Sequence, residues 1–291
     1  MNAQASLLQA LLSKWEWRIE VVLVLLLFGV LFFRGWWILR SRGAVSATKL
    51  RLVAYFGGLF SLALSLMSPI DWLGGQLFFM HMVQHMLSIM IGAPLLCLAN
   101  PFPILVWGLP SNLRLQVGQF FTKQSRFRQV LVLLTRPQYC WFFFFAVYLG
   151  WHEPAAYNLA LRRGWVHDLE HLTFFASAML FWWHGFGVAP KFHKPLPVWG
   201  RLAFLLSAIP PNMLAGVMIA FSNTVIYTYY ESIPRVWGLT LMQDQRLGGA
   251  IMWIPGSMMF LIAGIVVLAL GLQREHERNK LVHVPGASTQ A

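Results

Sequence analysis

The sequence predicts an all-α membrane protein, a bundle of seven transmembrane helices, from its composition, its apolar segments and its charge distribution. Apolar residues make up 58% of the 291-residue chain and charged residues 11%, a balance too apolar for a soluble globular domain. Segments long enough to cross a hydrocarbon core of about 30 Å recur along the chain. The predicted spans are roughly 19–39, 51–68, 77–98, 133–151, 166–184, 201–221 and 250–272.

These spans predict one membrane domain, residues 19–272, between two more polar ends. Residues 1–18 are expected to form an outer N-terminal segment, and residues 273–291 a cytoplasmic polar tail. Within the membrane domain, we expect Pro94 to kink the third span and Pro210–Pro211 to interrupt the sixth, because proline removes a helical hydrogen bond.

The basic residues predict that the N-terminus lies outside and the C-terminus inside. Of the 22 Lys and Arg residues, fifteen fall in segments that this orientation makes cytoplasmic, and six fall in outer segments. An excess of Lys and Arg on cytoplasmic loops is the usual determinant of membrane topology. The net charge of +12 is therefore explained by topology, and no basic soluble face for binding nucleic acid is predicted.

Five of the nine histidines fall at the outer ends of predicted spans. His81 and His85 lie about one and two turns into the third span, and His167 and His171 begin the fifth. His152 ends the fourth span. The i, i+4 spacing places each pair on one helix face. We therefore predict a single cluster in the outer third of the bilayer, contributed by three helices.

A lone histidine at a helix end is usually an interfacial ring with a satisfied hydrogen bond, and this reading suits His152 taken alone. Two i, i+4 pairs at the same depth favour a metal or cofactor site instead, because imidazole is a common metal ligand and ionisable groups inside a bilayer are mostly functional. The remaining histidines, near the cytoplasmic side or in the tail, are expected to be ordinary interfacial or solvated residues.

Four further residues could extend the cluster. Glu170 lies about 60° from His167 around the helix. Glu170 and Asp244, which is in the loop before the last span, could be ligands or could fix imidazole tautomers. Tyr157 could hydrogen-bond a ligand histidine, and Met252, one turn into the last span, could be a soft ligand.

The lack of cysteine ligands near the cluster limits which metal ions the site suits. Cys97 and Cys140 are the only cysteines, form no CxxC pair and are predicted near the cytoplasmic ends of their spans. An imidazole-rich site without sulfur suits copper or zinc, and also haem iron. Magnesium and calcium would require more oxygen ligands. A retinal Schiff base is not expected, because residues 250–272 contain no lysine.

Four motifs carry a resemblance to a known family. HMVQHML followed by APLL, then WHEPAAY, HDLEHLTFFASAMLFWW and DQRLGGAIMW, occur in the order found in the CtaG-type cytochrome c oxidase assembly proteins. The chain resembles that family over roughly residues 50–272. The resemblance implies a seven-span protein of the bacterial cytoplasmic (inner) membrane, associated with caa-type oxidases. The family's histidines and its DQ motif correspond to His81, His85, His152, His167, His171, Asp244 and Gln245.

The main hypothesis is a non-enzymatic assembly factor. It would hold copper at the outer-face histidine cluster and pass it to the nascent, copper-containing catalytic subunit of the oxidase, within the lipid bilayer. One alternative is an intramembrane zinc metalloprotease, because His167, Glu170 and His171 spell H-x-x-E-H, with Glu170 as general base. Another is a haem-binding redox protein that uses two opposed histidines as axial ligands. A transport role is weaker, since no comparable polar chain is predicted to reach the inner leaflet.

Overall fold

The computed structural model describes residues 13–282, and these residues form helices and connecting segments without any strand. The predicted segment 1–18 lies partly outside the described residues, as does the end of the predicted tail. The α-helices are α1 Ile19–Ser41, α2 Lys49–Met67, α3 Pro69–Gly74, α4 Phe78–Leu98, α5 Pro101–Gly108, α6 Ser111–Phe120, α7 Arg126–Leu134, α8 Pro137–Trp151, α9 Pro154–Arg162, α10 Gly164–Phe186, α11 Val198–Leu206, α12 Ile209–Ala220 and α13 Leu241–Val282.

Several of these helices are long and apolar enough to cross a membrane. Among the described residues there are five such stretches, namely α1, α2, α4, α11 with α12, and α13. A sixth arises if α7 and α8, which meet at an angle of 64°, are counted as one span. The chain is therefore an all-helical, multi-pass membrane protein. The count of seven spans and the orientation stay predictions.

α10 occupies the place of the predicted fifth span but is not among those six. Its 23 residues would extend about 34 Å, enough to cross the hydrocarbon core. Its histidines and Glu170 lower its apolarity, and these are the residues that matter for the site. A helix that carries a polar site is thus long enough to span but less apolar than its neighbours.

Local sequence explains where several helices begin. The side chains of Thr48, Ser68 and Glu153 accept hydrogen bonds from the first-turn amides of α2, α3 and α9. Pro137 and Pro154 stand at the starts of α8 and α9, where no amide hydrogen is needed. The fourth predicted span, 133–151, accordingly begins later as a regular helix than its apolar sequence suggests.

The predicted irregularities at proline are found in a specific form. The seven residues Met86–Gly92 of α4 are π-helical and lead directly into the turn that contains Pro94. A π-helical segment accommodates the hydrogen bond that proline removes. The sixth predicted span is divided between α11 and α12 just before Pro210–Pro211.

Close helix contacts depend on glycine. A Cβ atom on Gly35 of α1 would overlap the backbone of Ile104 in α5. A Cβ atom on Gly216 of α12 would lie 2.6 Å from the backbone nitrogen of Trp253, and one on Gly249 of α13 would lie 2.5 Å from that of Ala220. Small residues let membrane helices approach this closely.

The bundle positions α4 and α10 around a common interior. Both helices contribute to one large apolar cluster, which includes Met82 and Met90 from α4 and Phe174 and Trp182 from α10. The indole of Trp182 donates a hydrogen bond to the carbonyl oxygen of Ile89 at 2.7 Å, which ties the two helices together below the histidines. The N-terminal ends of α4 and α10 therefore face each other.

Candidate metal centre

The structure brings together the four histidines of the two i, i+4 pairs. The ring centroids lie 4.4 Å apart within the His81–His85 pair and 4.4 Å apart within the His167–His171 pair. Across the two helices, the His81 ring lies 5.5 Å from His167, and the His85 ring lies 5.0 Å from His171. The four rings lie together, as their spacing predicts, and their depth in the bilayer and their role as metal ligands stay predictions.

Glu170 lies inside this cluster with its side chain almost fully buried. Its Oε1 atom lies 3.7 Å from Nε2 of His81 and 3.4 Å from Nε2 of His85. A carboxylate buried without a compensating partner costs several kcal/mol. The carboxylate therefore points into the cluster, where a cation would balance its charge.

The cluster concentrates buried polar atoms that lack hydrogen-bond partners. Twelve buried side-chain nitrogen and oxygen atoms are unpaired in the described part of the chain, and eight of them lie in the cluster or, for His152, directly beside it. They are both ring nitrogens of His81 and of His85, Nδ1 of His171, Nε2 of His152 and both carboxylate oxygens of Glu170. Most buried polar groups in proteins are paired. Imidazole nitrogens and carboxylate oxygens are also the donors that transition metals take, so the residues present fit a metal ion.

These donors form two overlapping three-residue sets. One set is His81, His167 and His171, and the other is His81, His85 and Glu170. Within each set the donor atoms lie within 4.8 Å of one another. Ligands bound at about 2 Å from one ion lie about 3 to 4 Å apart, so a modest inward movement of each side chain would complete either set.

His152 lies next to the cluster and outside both sets. Its Nδ1 lies 2.6 Å from the carbonyl oxygen of Tyr148, one turn earlier in α8, so Nδ1 carries the proton and donates. This leaves Nε2 as the atom available to a metal. The His152 ring centroid lies 6.4 Å from that of His85. The predicted fifth histidine thus lies beside His85 but belongs to neither set.

Asp244, Tyr157 and Met252 do not belong to either set. The carboxylate of Asp244 accepts hydrogen bonds from the amides of Phe78 and Phe79 at 3.0 and 2.9 Å, so it caps the start of α4. Because α4 carries two of the histidines, Asp244 acts on them through the helix and not by direct contact.

Tyr157 packs its ring 5.1 Å from that of His81, but its hydroxyl group hydrogen-bonds Tyr230 at 2.9 Å and not a histidine. Met252 is buried in the large apolar cluster, and its carbonyl oxygen accepts a hydrogen bond from Asn212. The predicted hydrogen bond from Tyr157 to a histidine is therefore not observed, and Met252 lies among core residues.

Two supporting residues were missed by the sequence reasoning. Gln84, fully buried in the turn between His81 and His85, donates to the carbonyl oxygen of Ser65 at 2.9 Å and to the carboxylate of Asp71. A polar amide inside the HMVQH motif, on a predicted membrane span, was the sequence signal that could have identified Gln84. Arg235 forms an ion pair with Asp244 at 3.0 Å, and no sequence pattern links the two. Both residues fix how α4 presents its histidines.

Comparisons with known proteins agree with the resemblance of the four motifs. A family model described as cytochrome c oxidase caa3 assembly factor matches residues 30–274. Uncharacterized proteins of Mycobacterium bovis and Mycobacterium tuberculosis are each 27% identical to the chain over 232 residues, which cover 77% of this chain and 34% of theirs. One of Mycobacterium leprae is 24% identical over 230 residues, covering 78% and 35%. The chain thus spans about a third of the length of these curated relatives. No solved structure matches it.

Proposed function

The chain belongs to the cytochrome c oxidase caa3 assembly factor family, and we propose that it holds copper at the histidine cluster of α4 and α10 for insertion into the nascent oxidase. The recipient is the copper-containing catalytic subunit. The protein acts as a carrier that binds and releases an ion, without catalysing a reaction.

The observation that carries this proposal is the set of eight unpaired donor atoms at one buried place. Histidines packed for structural reasons would donate to carbonyl or carboxylate oxygens in hydrogen-bonding geometry, since an unpaired buried polar group costs about 1 to 3 kcal/mol. Here the ring nitrogens of His81 and His85 face Glu170 and one another instead. Binding a cation would convert this unfavourable arrangement into a favourable one.

The donor types support copper as the cargo. Imidazole nitrogens bind Cu²⁺ more tightly than the other first-row divalent ions. Cys97 is buried and lies twelve residues beyond His85 on the same helix, about 18 Å along its axis, too far to contribute. A site of histidines and one carboxylate lacks the thiolates that grip cuprous ion, so the ion stays exchangeable. That property suits a carrier.

We further propose the complete topology. α7 with α8 forms the fourth span and α10 the fifth, which gives seven spans in the bacterial cytoplasmic membrane. Fifteen of the 22 basic residues then face the cytoplasm, with the N-terminus outside and the C-terminus inside. In this orientation the histidine cluster faces the outer side of the membrane.

The position of Glu170 favours a metal-holding role over the zinc protease alternative. As a general base, Glu170 would have to reach a water on an ion held by His167 and His171. Its Oε1 atom instead lies against the ring nitrogens of His81 and His85, and its side chain is almost fully buried. The haem alternative requires a planar macrocycle between two rings, whereas the four rings here lie 4.4 to 6.0 Å apart from their neighbours. That spacing suits an ion.

Metal analysis and an absorption spectrum of the detergent-purified protein from copper-replete cells test this proposal. We expect copper in the wild-type protein and its loss from the His81→Ala and His85→Ala variants, with reduced oxidase activity and oxidase copper content in cells that carry them. His276→Ala, an exposed histidine on α13, is the matched control and should behave as wild type. Normal oxidase activity and copper content in both ligand variants would refute the proposal. Zinc would instead support the protease reading, and a Soret band the haem reading.

A further inference from the structure

The two ligand sets differ in how far they reach toward the N-terminal ends of α4 and α10. His167 lies one turn into α10 and is partly exposed, whereas Glu170 and His171 lie about one turn deeper and are buried. On α4, His81 lies one turn in, and His85 lies one turn deeper. His167 therefore gives the first set, with His81 and His171, its access to the outer surface. The second set, with His85 and Glu170, is buried throughout.

His81 belongs to both sets, which restricts how the sets can be used. A neutral imidazole carries one available lone pair on a ring nitrogen, so a neutral His81 can bind one ion at a time. The first set, called the outer set, and the second set, called the inner set, cannot then both be filled with three ligands each. An ion held by one set must lose ligands before it is held by the other.

We propose that the cluster is a two-position relay in which His81 keeps hold of the ion while its other ligands change. The inference rests on the proposed function, namely that this cluster holds copper. Bonds from His167 and His171 break as bonds from His85 and Glu170 form. The histidines stay neutral and Glu170 stays a carboxylate, so neither a proton nor an electron moves. The shared ligand spares the ion the large cost of being bare in a medium of low polarity.

The charges assign different roles to the two positions. The outer set consists of three neutral imidazoles, one of which is partly exposed, and it is the uptake position. The inner set includes the carboxylate of Glu170, which attracts a cation more strongly at a buried place than at the surface because the surroundings screen it less. The inner set is thus the holding position, and Glu170 is the residue that determines retention.

Separate measurements of uptake and retention test the relay on the full-length, detergent-purified protein. Copper(II) ions alone are the probe: stopped-flow mixing gives the uptake rate, and competition with a chelator gives the dissociation constant. We expect His167→Ala to slow uptake by about 10-fold or more while the dissociation constant stays within about 3-fold of wild type. Glu170→Gln should leave the uptake rate unchanged and weaken retention by about 10- to 100-fold. His85→Gln, which changes a different residue of the inner set, should repeat the effect of Glu170→Gln.

His81→Ala should lose both uptake and retention, and His276→Ala, away from the cluster, should lose neither. If His167→Ala and Glu170→Gln change uptake and retention by the same factors, the cluster is one site, and the relay is wrong while copper holding stands. Two copper ions bound per wild-type chain would also overturn the relay, since both sets would then be filled together. A wild-type protein that binds no copper at all would refute the proposed function and the relay together.

Discussion

The two ends of α10 bury histidines in contrasting ways. At the C-terminal end, the Nε2 atom of His184 donates a hydrogen bond to the carbonyl oxygen of Thr135 at 2.8 Å. The hydroxyl group of the same threonine meets Nε2 of His193 at 3.3 Å. At the N-terminal end, Nε2 of His171 lies 3.1 Å from Nε2 of His167 and Nδ1 of His171 is unpaired, one residue after the unpaired carboxylate of Glu170. Histidine thus hydrogen-bonds a backbone carbonyl oxygen at one end, whereas at the other end it keeps a ring nitrogen without a hydrogen-bond partner.

This contrast separates a structural histidine from a candidate ligand more clearly than burial does. Both ends are largely buried, and both helix turns pack against apolar neighbours. What differs is the partner of the ring nitrogen. A backbone carbonyl oxygen satisfies an imidazole within the fold, whereas several imidazoles and one carboxylate gathered together satisfy one another only through a shared cation or proton.

The largest expected effect comes from a paired substitution at the two ends. Copper at about 1,000 times its dissociation constant should stabilise the wild-type fold by about 4 kcal/mol, because the ion binds only the folded chain. His184→Ala should keep this gain, whereas His81→Ala, in the cluster at the N-terminal end of α10, should lose it. Thermal unfolding of both variants, with and without copper, measures the difference.

The metal-free proteins provide the control for that experiment. Without copper, His184→Ala should lower the free energy of unfolding by about 1 to 3 kcal/mol, since the carbonyl oxygen of Thr135 loses its partner. His81→Ala should cost less, because both ring nitrogens of His81 are unpaired. If copper stabilises both variants equally, the contrast between the two ends has no bearing on metal binding.

A smaller effect on copper binding is expected from substituting Asp244. This substitution distinguishes a residue that supports the cluster from one that is itself a metal ligand. Asp244→Ala removes two hydrogen bonds that cap α4 and the ion pair with Arg235. We expect a loss of about 1 to 2 kcal/mol in stability, and copper affinity lower by about 10-fold because α4 presents its histidines less firmly. Chelator competition and thermal unfolding measure the two effects.

The adjacent residue offers a matched control for Asp244. Gln243 is exposed and accepts hydrogen bonds from Thr240 at the start of its own helix. Gln243→Ala should therefore leave copper affinity unchanged. Complete loss of copper binding in Asp244→Ala, with the fold intact, would show that Asp244 is itself a ligand and would contradict the capping role.

The sequence predicts the site better than it predicts its support, for a physical reason. Histidine spacing of four residues and the depth of each span are local properties, and they place His81, His85, His167 and His171 together. The partner of Asp244 is 166 residues away in the chain, and its identity depends on how α13 meets α4. No local pattern records that contact.

The same distinction between local sequence properties and long-range contacts applies to the fold. Apolar segment lengths predict the long helices, because crossing a bilayer is a requirement on each segment by itself. The 64° bend between α7 and α8 and the π-helical segment of α4 depend on the residues around Pro137 and Pro94 and on packing against neighbours. Proline marks the place of such a feature, and tertiary contacts decide its form.

The smallest expected effect concerns Asp71, a partly buried carboxyl group that receives a hydrogen bond from Gln84. Burial raises the pKa of Asp71 to about 6, from an ordinary value of 3.8. A carboxyl group with a raised pKa binds its proton more tightly in the folded state, so its contribution favours folding at low pH and is lost as the pH rises through 6. Unlike Glu170, which we expect a metal ion to neutralise, Asp71 is neutralised by a proton.

Asp71→Asn removes this titration while keeping an oxygen that can accept from Gln84. Between pH 5 and pH 7, the wild-type protein should lose about 1 kcal/mol of stability relative to the variant. Thermal unfolding of both metal-free proteins at pH 5, 6 and 7 measures this difference. Both proteins contain the same histidines, so the titration of the histidines does not affect the difference in stability. Glu20→Gln, at an exposed carboxyl group on α1, is the control and should show no such loss. If the difference in stability between the two proteins is the same at all three pH values, Asp71 is ionised throughout this range. The side chains that support α4 would then include a permanent negative charge, one hydrogen bond away from the turn that carries His81 and His85.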